Sequence, residues 1–273
     1  MKNVSTVLAG HGTPMHSIYL LLIPAGLGAL SLLPGLDPFS QDLMNRLAGP
    51  GREHILGTDQ FGRCILARIA HGTYISLGAA IIISLGSAIL GSILGMIAGY
   101  TRGVTDILIS RLVDTTLAFP GILLALMITG LTKGGVMVLA VALIITTWPD
   151  YCRVARSVTR TCSSAPYIQA AVLSGFPVWF ILYRYVLPQV ARPILPLVSL
   201  GIGKSILALS SLGFLGIGIK PPMPEWGAMI SDGLPYLRSA AHLSLIPSIL
   251  VFITVFACLR LAGTMEYKNP STI

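Results

Sequence analysis

The chain has 273 residues, of which 54% are hydrophobic and only 10% charged, and it carries a net charge of +8. A soluble domain holds about 25% charged residues, so the polar surface needed for an ordinary cytosolic enzyme, a disordered chain or a nucleic-acid-binding tail is missing. A mean hydropathy of +0.81 marks an integral membrane protein. The excess of 18 basic over 10 acidic residues contains no dense basic run, and it reads as loop charge that orients the chain in the bilayer. Cys64, Cys152, Cys162 and Cys258 are scattered without a CxxC pair, so they read as free thiols rather than a zinc site or disulfide framework.

A membrane helix needs about 20 mainly apolar residues. In chain order the candidates are 18–36, 75–100, 113–131, 136–148, 194–219 and 245–261, six spans in an all-α fold. Residues 1–17 form an N-terminal tail, 37–74 a loop, 149–193 a long loop between the fourth and fifth spans, and 263–273 a C-terminal tail. The first span reads as a membrane helix rather than a cleaved signal peptide. It is long for a signal core, and only Lys2 is basic among the residues before it. Thr132-Lys133-Gly134-Gly135 is expected to end a hairpin between the third and fourth spans.

Placing the N-terminus in the cytoplasm puts ten basic and three acidic residues inside, against seven and six outside. Arg153, Arg156, Arg160, Arg184 and Arg192 supply most of that bias. Positive loops stay in the cytoplasm, so both termini and the 149–193 loop are expected there.

The second span carries Gly91, Gly95 and Gly99 with Ser87 one step earlier. Small residues at four-residue spacing let another helix approach closely, either within this bundle or at a subunit interface. Arg111 and Asp114, three residues apart, are expected to pair on one helical face.

The 149–193 loop has the pattern of a knob. Pro166 suits a first helical turn, 167–174 propagates helix, and Gly175 permits a left-handed stop. A second helical stretch is expected from Trp179 to Tyr185, ended by Pro188. Such an amphipathic, basic protrusion could lie on lipid or fit a groove in a partner.

Lys204 lies about 15 Å, or ten residues, into the fifth span. A central lysine costs about 2.5–3.5 kcal/mol on insertion scales, so it must face a cavity or a partner. It either lines a translocation path or anchors structure, and no carboxylate is expected at its depth. Gly203-Lys204-Ser205 mimics the end of a phosphate loop, but Val198 replaces its first glycine within an apolar run. His11, His16, His54, His71 and His242 form no HxxxH, so no metal site is expected. The HExxH and GxSxG signatures of a membrane enzyme are also missing.

Gln169-Ala170-Ala171, Gly175 and Leu187-Pro188 together resemble the EAA loop of permease subunits of binding-protein-dependent ABC importers, with Gln169 in place of the usual Glu. Leu56-Gly57-Thr58-Asp59-Gln60-Phe61-Gly62-Arg63 is similar to the LGTDxxGRD segment of the peptide and nickel permeases, where Cys64 replaces the final Asp. Asp106, Arg111, Asp114 and Pro120 resemble the pattern of the third helix. Phe214-Leu215-Gly216-Ile217-Gly218, followed by Pro221-Pro222 and Pro224-Glu225-Trp226-Gly227-Ala228-Met229, is similar to the family's FLGLG and PPxPEWGAM segments. The resemblance spans about residues 54–260. It weakens at Gly263-Thr264-Met265-Glu266, which replaces GDxLRD.

The resemblance implies a six-helix, type I ABC importer (MetI-like) permease fold over 75–262, with the EAA loop as a cytoplasmic coupling helix. It also implies a second, homologous permease subunit, two cytoplasmic ATPases that use ATP, and an extracytoplasmic substrate-binding protein, in a bacterial inner membrane. This chain would bind no cofactor or nucleic acid. The 203–215 stretch and the short N-terminal tail look closer to nickel permeases, so nickel or a metal chelate is expected ahead of di- or oligopeptide. The alternative is an ion-coupled secondary transporter that needs no ATPase.

Overall fold

A computed structural model describes residues 14–31, 35–132, 135–219 and 221–267, with side chains from residue 20 to residue 265. Lys2, His11, the hairpin residues Lys133 and Gly134, Lys220 and Lys268 lie outside the described residues, as do the side chains of His16 and Glu266. The described chain is helical, with one isolated bridge between Thr58 and Cys64. Its helices are α1 (Pro14–Leu30), α2 (Ile65–Thr101), α3 (Gly103–Ala118), α4 (Gly121–Gly130), α5 (Val136–Ser163), α6 (Pro166–Leu173), α7 (Val178–Ile181), α8 (Leu187–Phe214), α9 (Trp226–Gly233) and α10 (His242–Tyr267).

Four stretches are each long and apolar enough to cross a membrane: Ile65–Thr101, Val136–Ser163, Val178–Phe214 and His242–Met265. The third expected span is a broken one. Its halves, α3 and α4, meet at 84°. Pro120 lacks a backbone donor and drives the preceding Phe119 to an extended ψ of 138°, which ends α3. The first helix, Pro14–Leu30, has 17 residues as described.

Three boundaries move. α2 starts ten residues before position 75, because the loop ahead of it folds back: Ile65 N–H donates to the Gly57 carbonyl at 3.1 Å, and Arg68 is held by Asp59. α5 continues through Pro149 to Ser163, so residues 149–163 are helix and not loop. Nor does Pro188 interrupt the helix. A π-helical segment, Leu182–Val186, precedes it, and Pro188 falls in the first turn of α8, where a missing N–H is tolerated.

The glycine row of α2 faces α5. A Cβ on Gly91, Gly95 or Gly99 would lie 2.5, 2.5 and 2.7 Å from the carbonyls of Trp148, Cys152 and Arg156 respectively. Both series advance by four residues, so the two helices run side by side with backbone against backbone, and dispersion across that seam holds the pair. The larger apolar core joins α2, α5, α8, α9 and α10 around Ile69, Ile83, Leu143, Leu209 and the fully buried Trp226. A second cluster, around Tyr151, Ile168, Ile181 and Val190, seats the knob against α5 and α8.

Candidate functional site

The knob is built by local chemistry. Pro166 occupies the first turn of α6, and Gly175 stops it with a φ of +80°. Phe176 N–H reaches back to the Ala171 carbonyl at 3.2 Å and Gly175 N–H to Val172 at 3.0 Å, the paired bonds of a Schellman stop. Ile168 and Ala171 are buried beneath α6. Gln169 and Ala170 point outward, and the Gln169 amide donates to the Ser164 carbonyl at 3.3 Å. Gly175 and Pro188 are exposed, while Leu187 is half-buried.

The protruding surface is apolar. Leu173 is 88% exposed and Trp179 69%, with Val172, Phe176 and Val178 beside them. An aromatic chain stiffens the base of the knob: Phe176 stacks on Phe180 at 5.0 Å, and Phe180 meets Tyr185 edge-on at 6.2 Å. An apolar protrusion of this kind suits a lipid surface or a groove in a partner rather than water.

Behind the knob, α3 is tied to α5 by charge. Asp106 is buried and accepts from both Arg156 and Arg160. Asp114 pairs with Arg153 of α5 at 3.1 Å and not with Arg111, because α3 turns its Asp114 face toward α5.

Within the span, Lys204 Nζ lies 3.4 Å from Asp150 Oδ2. A carboxylate therefore does accompany it, contrary to the expectation from sequence. Residue 150 falls in the loop expected over 149–193, but α5 runs on through it and carries Asp150 on the helix. Ser84, Thr147, Tyr151 and Ser205 line the same cleft.

The segment before α2 folds around Asp59. Its carboxylate accepts from the backbone N–H of Phe61 (2.9 Å) and Arg63 (3.0 Å) and from Arg63 Nε (2.6 Å), and Arg68 Nε forms an ion pair with it at 3.3 Å. Gly62, at φ +74°, presses on the Asp42 backbone where no Cβ would fit. Cys64 sits at the N-cap of α2 without a side-chain capping bond.

Across the same end of the bundle, buried Glu225 caps α9. It accepts from Gly227 and Ala228 N–H, both at 2.9 Å, and from the Ser76 hydroxyl at 3.4 Å. Gly213 leaves the space that the Glu225 carboxylate requires, and Gly227 packs against the Ser210 backbone. The four cysteines are free thiols, and among the described residues no three His, Cys, Asp or Glu side chains converge as metal ligands would.

Residues 91–264 match the family described as binding-protein-dependent transport system inner membrane component. The chain is 40% identical over 240 residues to the glutathione transport system permease protein GsiD of Pectobacterium atrosepticum, covering 87% of this chain and 79% of that protein. It is 39% identical over 211 residues to the dipeptide transport system permease protein DppC of Alkalihalophilus pseudofirmus, covering 77% and 69%. Among solved structures, an inward-facing MetNI methionine ABC transporter chain superposes with a TM-score of 0.54 at 17% identity, covering 71% of this chain and 94% of that one, which establishes the MetI-like fold. The chain belongs to the inner-membrane permease family of binding-protein-dependent ABC importers, as a pore component without catalytic chemistry of its own.

Proposed function

We propose that this chain forms half of the pore of an ATP-driven importer of short peptides, beside a second, homologous permease subunit. Two cytoplasmic ATPases bind and hydrolyse ATP, and an extracytoplasmic binding protein delivers cargo. This chain binds no nucleotide or metal cofactor. Both termini and the 166–186 knob face the cytoplasm, in keeping with the arginines clustered around the knob.

The observation that carries the reading is the knob itself. Leu173 and Trp179 are held out from the bundle on a seated base, and Gln169, Ala170 and Gly175 complete the motif that resembles a coupling helix. Peptide cargo is favoured over nickel or a metal chelate because GsiD and DppC carry glutathione and dipeptide names. An ion-coupled secondary transporter would have no use for a docking knob, and the family assignment removes that alternative.

Leu173→Asp places a charge on the most protruding apolar residue and should abolish co-purification with the ATPases while membrane insertion is unchanged. Retained assembly would refute the docking role. A membrane-impermeant thiol reagent should label Leu173→Cys, in a chain whose four native cysteines are replaced, only after permeabilisation. Labelling from outside intact cells would invert the topology.

A further inference from the structure

Lys204 and Asp150 differ from the other ion pairs of the described chain. Asp59 and Asp106 are buried with their arginines as partners, and Arg153–Asp114, similarly exposed, lies about one turn nearer the Ser163 end of α5. Lys204 lies about 15 Å from the Phe214 end of α8, and Asp150 about 21 Å from the Val136 end of α5. Both therefore lie near the middle of helices long and apolar enough to cross a membrane, yet their side chains are 59% and 55% exposed. Charges exposed at such depth do not face hydrocarbon. This face must adjoin water or another subunit, as a translocation path does.

The pair is also loose. One contact of 3.4 Å joins the two groups, and among the described residues neither side chain makes another hydrogen bond. The wall behind them, by contrast, is set: Ser84 Oγ donates to the Val198 carbonyl at 2.9 Å, and the Tyr151 hydroxyl donates to Leu197 at 3.3 Å. A hydrogen-bonded polar wall thus carries two exposed, opposite charges joined by a single long contact.

A lone lysine in a path would select anions, and a lone aspartate would select cations. An adjacent pair is neutral overall and offers one partner to an ammonium and one to a carboxylate. We infer that Asp150 and Lys204 form a cargo subsite for zwitterions: the free amino end of a short peptide pairs with Asp150, its free carboxyl end pairs with Lys204, and the resting bond between the two side chains is exchanged for those two. This assignment rests on the peptide reading of the cargo and adds the chemistry that recognises it.

The test uses the full importer, with its partner permease, ATPases and binding protein, reconstituted in liposomes. Uptake of a radiolabelled free-ended dipeptide and ATP hydrolysis are measured together. Lys204→Gln and Asp150→Asn should each lower uptake at least tenfold, while hydrolysis stimulated by loaded binding protein stays within twofold of wild type. The double variant should do no better than either single one. Unchanged uptake, recovery in the double variant, or equal loss of hydrolysis and uptake would make the pair a structural contact and overturn the proposal. In the unmodified chain, saturating dipeptide with loaded binding protein should protect Lys204 from an amine-reactive reagent, read by mass spectrometry, and absence of protection would also overturn it. A wild-type importer whose loaded binding protein stimulates hydrolysis without dipeptide uptake would instead remove the peptide reading, and this subsite with it.

Discussion

Asp106 on α3 and Arg156 on α5 lock together through two parallel hydrogen bonds, Nε to Oδ1 and Nη2 to Oδ2, the second at 3.0 Å. Arg160 adds a third donor to the same carboxylate. The fork geometry of Arg suits this role in a way that lysine does not. Without it, α3 would touch α5 mainly through Ile109 and Val113.

Asp106→Asn should therefore destabilise the protein by about 2–3 kcal/mol, since it removes charge-assisted bonds and leaves two arginines short of a partner. The measurement is thermal unfolding in detergent. Arg156→Lys, which keeps the charge but loses the fork, should fall between Asp106→Asn and wild type. An unshifted melting temperature in Asp106→Asn would show that apolar packing alone holds α3.

The glycine seam predicts a contrast within one helix. Gly95→Ala puts a methyl 2.5 Å from the Cys152 carbonyl and forces α2 from α5, at a cost of about 1–3 kcal/mol. Gly78→Ala meets nothing within 4 Å and should be neutral or stabilise by up to about 1 kcal/mol through helix propensity. Folded yield in membranes should separate the two. Equal yields would mean that the seam yields easily.

Cys64 occupies an N-cap and makes no capping bond. Cys64→Asp should supply an acceptor to the first turn of α2 and stabilise the helix start by about 1 kcal/mol. A rise in melting temperature checks it. A fall would show that a second carboxylate beside Asp59 outweighs the cap.

Glu225 predicts a pH dependence. Burial pushes its carboxyl above the ordinary 4.5, while the Gly227 and Ala228 N–H groups pull partly back. With the folded value raised, its contribution to stability is full below the unfolded value and is lost as pH rises through the folded one. Glu225→Gln cannot ionise, so it should flatten that part of the stability profile, at a cost of about 1–3 kcal/mol from an imperfect cap. Thermal unfolding from pH 4 upward reads both effects. A wild-type profile with the opposite slope would contradict the assignment.

Composition and local backbone rules are enough to identify a lipid-embedded helical protein and to place the stop at Gly175, because hydropathy is additive along a chain and a helix stop depends on a few adjacent residues. The motifs were legible for the same reason: Gln169, Ala170, Ala171 and Gly175 lie within two helical turns. Relationships between distant residues were not. Asp114 had Arg111 as its near neighbour in sequence, yet α3 presents it to Arg153. The glycine row allowed two partners until α5 was laid along it. Pro188 has the pattern of an end, but a π turn leads into it and the helix continues, and the span expected to stop at 148 runs on to Ser163. Asp150 and Lys204 are 54 positions apart. Only the docking of α5 against α8 brings their charges together, because a side chain's partner across the bundle is set by helix rotation and tilt, which no local spacing encodes.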